Sequence, residues 1–160
     1  MIVSTFILSS CSKDEEEIKV PENILGVWSP DETTYLEFCE DYTVRHLDIE
    51  YQDGQSIGEW SSDVYYYEPG YDLVIYIDSH QQGVVYKIVK LTDTTLVWSP
   101  VDEVDVIDRE DSIGHIIGNI INKAQEGYKV NPELNQSFIK IPEVQFLEML
   151  EKLNITYPWF

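Results

Sequence analysis

The chain has 160 residues, of which 43% are apolar, and a formal net charge of −20. This length suits one domain with an appendage, and the apolar content is sufficient for a buried core. The charge excludes nucleic acid as a partner, because each phosphate contact would oppose the electrostatic field of the protein. Neutral or cationic partners, and Ca²⁺, stay open.

The N-terminus carries a short apolar run, residues 2–8, which is followed by two serines and Cys11. A run of this length does not span a bilayer, which takes roughly 20 apolar residues, and it is typical of the apolar part of a signal peptide. The stretch resembles a bacterial lipoprotein signal with its lipobox. The resemblance implies that residues 1–10 are removed and that acyl chains on Cys11 anchor the protein to a membrane. An apolar terminus with an incidental cysteine is the alternative.

An acidic tether, residues 12–23, follows the cysteine. Its first part, in which Lys13 precedes several acidic residues, resembles the surface-export signals of some Gram-negative lipoproteins. This resemblance implies an outer-membrane, lipid-anchored protein at the cell surface. A periplasm-facing orientation is the alternative, and a tether that is merely solvated would fit either orientation.

Residues 24–100 carry the pattern of β-structure. Apolar and polar residues alternate in successive runs, and turn sequences such as Asp53-Gly54 and Pro69-Gly70 separate them. Short strands at intervals of about ten residues predict an antiparallel meander, and therefore a barrel or a sandwich. The predicted strands are 36–38, 43–51, 56–67, 72–78, 84–91 and 96–98.

The pattern changes after Pro100, where an acidic connector, residues 101–111, leads to a C-terminal helical segment, residues 112–160. Apolar residues at helical spacing predict a first helix there, and a second is predicted at about 142–153. The apolar residues 155–160 are expected to pack as a final strand or lid. We expect the stripe of the first helix to be buried against the β-domain; it comprises Ile113, Ile116, Ile117, Ile120, Ile121 and Ala124.

The β-region opens with Gly26-Val27-Trp28 and continues as a series of hairpins. This order resembles the small lipocalin-like domains of bacterial envelope lipoproteins, over residues 24–100. The resemblance implies a lipocalin-like barrel whose closed end is plugged by Trp28 beneath an arginine of a late strand, with a helix packed outside. Arg45 and Arg109 are the two arginines of the sequence, and neither lies at the end of the last predicted hairpin.

The sequence carries no pattern of catalytic residues. His46, His80 and His115 are far apart and lack the spacing of metal ligands. It also contains no nucleophile elbow and no phosphate-binding glycine loop. We therefore expect a binding or structural protein rather than an enzyme, with no cofactor. Cys39 falls in an alternating apolar segment and is interpreted as a buried free thiol.

Two further kinds of site have weak sequence support. Asp102, Asp105 and Asp108 of the connector offer the oxygen ligands that Ca²⁺ requires, but the calcium-loop pattern is missing and a solvated linker is the favoured interpretation. Thr94 and Ser112 each follow an aspartate, in a pattern that resembles acceptors of bacterial periplasmic O-glycosylation. A hairpin turn and a helix N-cap are the alternative interpretations.

Aromatic side chains are the candidate ligand contacts, because a ring at a barrel mouth can stack on a sugar or hold an apolar molecule. Ordinary cross-strand pairs are the alternative. Two functions follow, because a small barrel either holds one ligand or is filled by side chains. The first is the binding of a small apolar or sugar-like ligand, and the second is a structural or interaction subunit of a surface assembly. The candidate contacts are Trp28, Trp60, Tyr65, Tyr67, Tyr76 and Tyr86.

Overall fold

The computed structural model describes residues 23–78, 82–105 and 113–158. Within them, the strands close into an antiparallel barrel in chain order, with β8 paired to both β7 and β1. Two helices lie outside the barrel, α1 (Ile113–Glu126) before the last strand and α2 (Glu143–Leu153) after it. Neither of these two α-helices of the described residues is long and apolar enough to cross a membrane. The strands are β1 (Gly26–Ser29), β2 (Thr34–Phe38), β3 (Thr43–Gln52), β4 (Gln55–Glu68), β5 (Leu73–Ile77), β6 (Gln82–Leu91), β7 (Thr95–Asp105) and β8 (Gln136–Ile141).

This architecture confirms the predicted antiparallel barrel with two C-terminal helices. An up-and-down barrel of eight strands is the architecture that lipocalins use. The structure differs from the sequence prediction at β7, which continues through Asp105 into the predicted acidic connector. Apolar Val101 and Val104 stand among the acidic residues there and pack beside α1, so the segment is a partly buried strand. The rest of the connector, residues 106–111, lies outside the described residues, as does Ser112.

The second difference is β8, which closes the barrel from within the predicted helical segment. The sequence analysis assigns no element to residues 136–141, between the two predicted helices, because a six-residue run that ends just before Pro142 gives a weak strand signal. The strand is held by pairing on both sides, with Trp28 opposite Lys140 and Leu96 opposite Phe138.

One end of the barrel is filled by side chains around Trp28, whose ring is fully buried and whose Nε1–H donates to the carbonyl oxygen of Ile24 at 2.7 Å. The Nζ of Lys140 lies 5.2 Å from the centre of the Trp28 ring. A lysine of the last strand therefore stands where the resemblance implied an arginine. Either cation is attracted to the face of an indole ring, so a search for arginine alone misses this contact.

The outer face of β5, β6 and β7 is covered by α1. Ile116, Ile117, Ile120 and Ala124 pack against fully or nearly fully buried residues such as Ile75, and Ile120 itself is 1% exposed. The predicted burial of the helical stripe is confirmed for Ile120, while Ile116, Ile117 and Ala124 are partly buried against the same cluster. Ile121 is partly buried, and the side chain of Ile113 lies outside the described residues.

The outer face of the first strands is covered by α2 and by the C-terminal tail. Phe146 and Leu150 of the helix are buried against strand residues such as Leu47. Residues 155–158 follow without strand structure, and Ile155 and Tyr157 pack on the same cluster. The tail therefore packs as expected, but of the two expected forms the strand is wrong for these residues; residues 159–160 lie outside the described residues. The Nε1–H of Trp60 donates to the carbonyl oxygen of Thr156 at 3.1 Å and so ties the tail to the outside of the barrel.

Candidate functional site

The barrel contains a cavity of about 580 Å³ near the end where β1 stops and β2 and β8 begin. The barrel is therefore filled on one side and hollow on the other. The sequence analysis left open whether the barrel is hollow or filled by side chains, and the structure combines the two states, one at each end. The cavity is lined by Pro30, Thr34, Leu36, His46, Ser61, Asp63, Tyr76, Asp78, Tyr86, Trp98, Gln136 and Phe138.

The register of the sheet explains why these residues meet. Leu36 of β2 pairs with His46 of β3, which in turn pairs with Ser61 of β4. Paired residues of neighbouring antiparallel strands project to the same face of a sheet, so the whole row points into the barrel. The row ends in a small serine, and small or short polar side chains leave the space that the cavity occupies.

Aromatic rings form one side of the cavity. Tyr86 of β6 stacks on Trp98 of β7, with ring centres 4.3 Å apart and an angle of 19° between the planes. The rings of Phe138 and Trp98 meet in an edge-to-face arrangement, with their centres 5.2 Å apart. The Nε1–H of Trp98 donates to Oε1 of Gln136 at 2.8 Å, which fixes the orientation of the ring. This fixed set of rings, the aromatic wall, offers a flat apolar surface to a ligand.

The lining of the cavity also contains a buried carboxylate. Asp63 of β4 is 6% exposed, and it accepts a short hydrogen bond from the hydroxyl of Tyr76. Burial, followed by this hydrogen bond to a carboxylate, raises the pKa of Tyr76 above its ordinary value. Burial also raises the pKa of Tyr86. Both phenols therefore remain neutral hydrogen-bond donors at neutral pH.

His46 adds a further polar group to the lining of the cavity. Its Nε2 is buried and lies 3.3 Å from Oδ1 of Asp48, yet it makes no hydrogen bond within the described structure. A buried nitrogen without a hydrogen bond is costly, so this atom can gain from a polar group of a ligand.

The structure distributes the six aromatic candidates over three locations. Tyr76 and Tyr86 line the cavity. Trp28 and Tyr65 belong to the buried core of the filled end, and Tyr67 packs against that core. Trp60 lies outside the barrel, where the centre of its ring is 6.3 Å from that of Phe146 and 5.6 Å from that of Tyr157, so it is not part of the cavity.

The sequence analysis missed most of the lining, including Trp98, Asp63 and Gln136. For Trp98 the sequence did carry part of the signal, because Leu96, Trp98 and Pro100 are every second residue of one strand and therefore share a face. Leu96 is buried in the barrel, which places Trp98 on the inner face as well. The polar residues gave no such signal, since a chain this acidic has carboxylates on both faces of its strands.

The other candidate sites are only partly described. Asp102 accepts hydrogen bonds from Lys123 at 2.6 Å and from Tyr128 at 3.2 Å, so it is paired with α1 and its loop. The described residues contain no group of three or more His, Cys, Asp or Glu side chains that could hold a metal ion. Thr94 is exposed in the turn before β7. Cys11, Asp108, Ser112 and the side chain of Asp105 lie outside what the structure describes.

Comparison with known proteins adds little to this geometry. No protein-family model matches the chain, and no curated protein matches it. Among solved structures, a deswapped triple mutant of bovine odorant-binding protein is similar at 16% sequence identity and a TM-score of 0.25, covering 84% of this chain and 95% of that chain. A similarity this low says nothing about the function of the chain.

Proposed function

We propose that the protein binds a small molecule with an apolar body in the mouth of its barrel. The single observation that carries the proposal is the cavity of about 580 Å³ beside the aromatic wall. Ligand pockets of proteins usually enclose about 300–1,000 Å³ and combine an apolar lining with a few polar groups. The polar groups available here are Asp63, His46 and Gln136.

Two neighbouring serines of β4 allow a matched test of this proposal. Ser61 lines the cavity, whereas Ser62 is exposed and pairs with Arg45 on the outer face. Phenylalanine at position 61 fills part of the cavity, and phenylalanine at position 62 adds the same side chain outside. The probe is N-phenyl-1-naphthylamine, an uncharged aromatic compound whose fluorescence rises in apolar surroundings.

We expect the probe to bind the wild-type protein and Ser62→Phe with similar affinity, and to bind Ser61→Phe at least tenfold more weakly. Circular dichroism checks that both variants are folded. Equal binding to the two variants would show that the probe binds elsewhere. No binding to the wild-type protein would favour the alternative, in which the barrel is a structural or interaction subunit and holds no small ligand.

The location of the protein is proposed from the sequence alone. We propose that Cys11 is acylated and that the protein is anchored to the outer membrane, at the cell surface. Growth of a Gram-negative host with alkyne-tagged palmitate tests the anchor: the wild-type protein and Cys39→Ser should carry the label, and Cys11→Ser should not. Label retained by Cys11→Ser would contradict the proposed anchor. Protease treatment of intact cells is a separate test, which distinguishes surface exposure from periplasmic exposure.

A further inference from the structure

Two polar side chains face the aromatic wall across the cavity. The eight strands pair in chain order around the barrel, so strands that are four places apart stand opposite each other. β3 therefore lies opposite β7, which carries Trp98, and β4 lies opposite β8, which carries Phe138. His46 of β3 and Ser61 of β4 pair directly with each other and line the cavity. Because an eight-stranded barrel is only wide enough for one small ligand, a ligand that touches the wall also comes within reach of this pair.

The imidazole of His46 has hydrogen-bonding capacity that the described part of the protein does not use. Its Nε2 lies 3.3 Å from Oδ1 of Asp48, which is the distance of an ion pair, but the two atoms make no hydrogen bond. The side chain of His46 is 29% exposed and lines the cavity, so the ring can be approached from there. A ligand group that forms a hydrogen bond with the ring therefore removes the cost of an unsatisfied polar group.

A hydroxyl group of a ligand matches this pair of residues best. An imidazole nitrogen donates or accepts according to whether it carries the proton, and the hydroxyl of Ser61 can do both. A ligand hydroxyl also donates and accepts, so it can bond to both residues in either tautomer of the ring. An ether or carbonyl oxygen only accepts, and an ammonium group only donates. An anionic group would enter against the net charge of −20.

We propose that the ligand is an aromatic alcohol or a phenol. Its ring lies against Tyr86 and Trp98, whose own rings form the fixed aromatic wall, and its hydroxyl group forms hydrogen bonds with His46 and Ser61. This inference rests on the proposed function, because it names the chemical class of the ligand that the same cavity takes.

Two probes of nearly equal size test for the hydroxyl group: 4-ethylphenol, and 4-ethyltoluene, in which a methyl group replaces the hydroxyl. The methyl compound is the more apolar, so a cavity that offers only apolar contacts binds it more tightly. A cavity that pairs with a hydroxyl group has the opposite preference, because its polar groups stay unpaired when the hydroxyl is missing. The order of the two affinities, measured by isothermal titration calorimetry, therefore separates the two cases.

Three variants test whether His46 makes the hydrogen bond. Leucine at position 46 is similar in size to histidine and has no polar group, whereas glutamine keeps an amide that can donate and accept. His115 is exposed on α1, so His115→Leu makes the same replacement away from the cavity. Circular dichroism checks that each variant is folded.

We expect the wild-type protein to bind 4-ethylphenol at least threefold more tightly than 4-ethyltoluene. His46→Gln and His115→Leu should keep this order, and His46→Leu should reverse it. If His46→Leu does not fold, Ser61→Ala provides the second test, and it should reduce the preference for the phenol at least threefold. A preference for the phenol that persists in folded His46→Leu, or that His115→Leu also reverses, would overturn the inference.

The outcomes distinguish the inference from the proposed function. Equal affinities of the wild-type protein for the two probes, or a preference for 4-ethyltoluene, would overturn the inference and leave the binding function standing. The same holds if N-phenyl-1-naphthylamine binds in the cavity but 4-ethylphenol does not. If none of the three compounds binds, both the inference and the proposed function fail.

Discussion

Replacing Ile120 by alanine removes the most deeply buried of the described side chains that α1 contributes to its interface with the barrel. Ile120 is 1% exposed and belongs to a cluster with Leu73, Ile75 and Val85, each of which is also at most 1% exposed. Removal of a buried isoleucine side chain down to alanine costs about 2–5 kcal/mol, from lost transfer free energy and the remaining cavity. The higher helix propensity of alanine offsets about 0.4 kcal/mol of this cost.

We therefore expect the free energy of unfolding of Ile120→Ala to fall by about 3 kcal/mol, measured by urea denaturation followed by circular dichroism. At about 2–4 °C per kcal/mol for a chain of this size, the melting temperature should fall by about 6–12 °C. Val144→Ala is the control, because Val144 lies in α2 and is 67% exposed, and its change should stay within about 0.5 kcal/mol. A loss below about 1 kcal/mol for Ile120→Ala, with an unchanged denaturant slope, would refute the packing of α1 on the barrel.

Two further predictions concern single positions. Gly83→Ala should destabilise the fold strongly in thermal melts, because its Cβ would lie 2.5 Å from Cγ2 of Val104 and 3.2 Å from the backbone oxygen of that residue; Gly70→Ala, with no atom within 4 Å of the new Cβ, should change little. In a Cys11→Ser variant, Cys39 should react with iodoacetamide at pH 8 on the order of 100-fold more slowly when folded than in urea, because burial raises the pKa of its thiol to about 11 and leaves little thiolate. Cys39 is a free thiol that is half-buried rather than buried as the sequence predicts. Equal rates in the two states would contradict even this partial burial.

The sequence was sufficient for those parts of the fold that repeat a local pattern. The isoleucine spacing that ends at Ala124 predicts α1 and its buried face, and the alternation in residues 72–78 predicts β5. Closure of the barrel depends instead on contacts between distant residues. Val27 of β1 pairs with Ile141 of β8, more than a hundred residues later, and no local feature of either strand specifies the other.

The candidate site was harder to predict for the same reason. Tyr76 and Tyr86 were found because aromatic residues in strands are conspicuous, yet Trp60, which is equally conspicuous, faces outward against α2. The side chains of His46 and Asp63 enter the cavity only through the register of β3 and β4. A shift of that register by one residue would turn both outward, and the sequence alone does not fix such a register.

Native mass spectrometry of the protein, purified from its own host without denaturant, tests the central claim most directly. The account predicts a reproducible extra mass of small-molecule size that disappears on denaturation, that is retained by Ser62→Phe and that is absent from Ser61→Phe. The cavity would then be a ligand site, and the mass would identify the chemical class. A mass equal to that of the polypeptide with its acyl chains, together with no binding of N-phenyl-1-naphthylamine, would contradict the account.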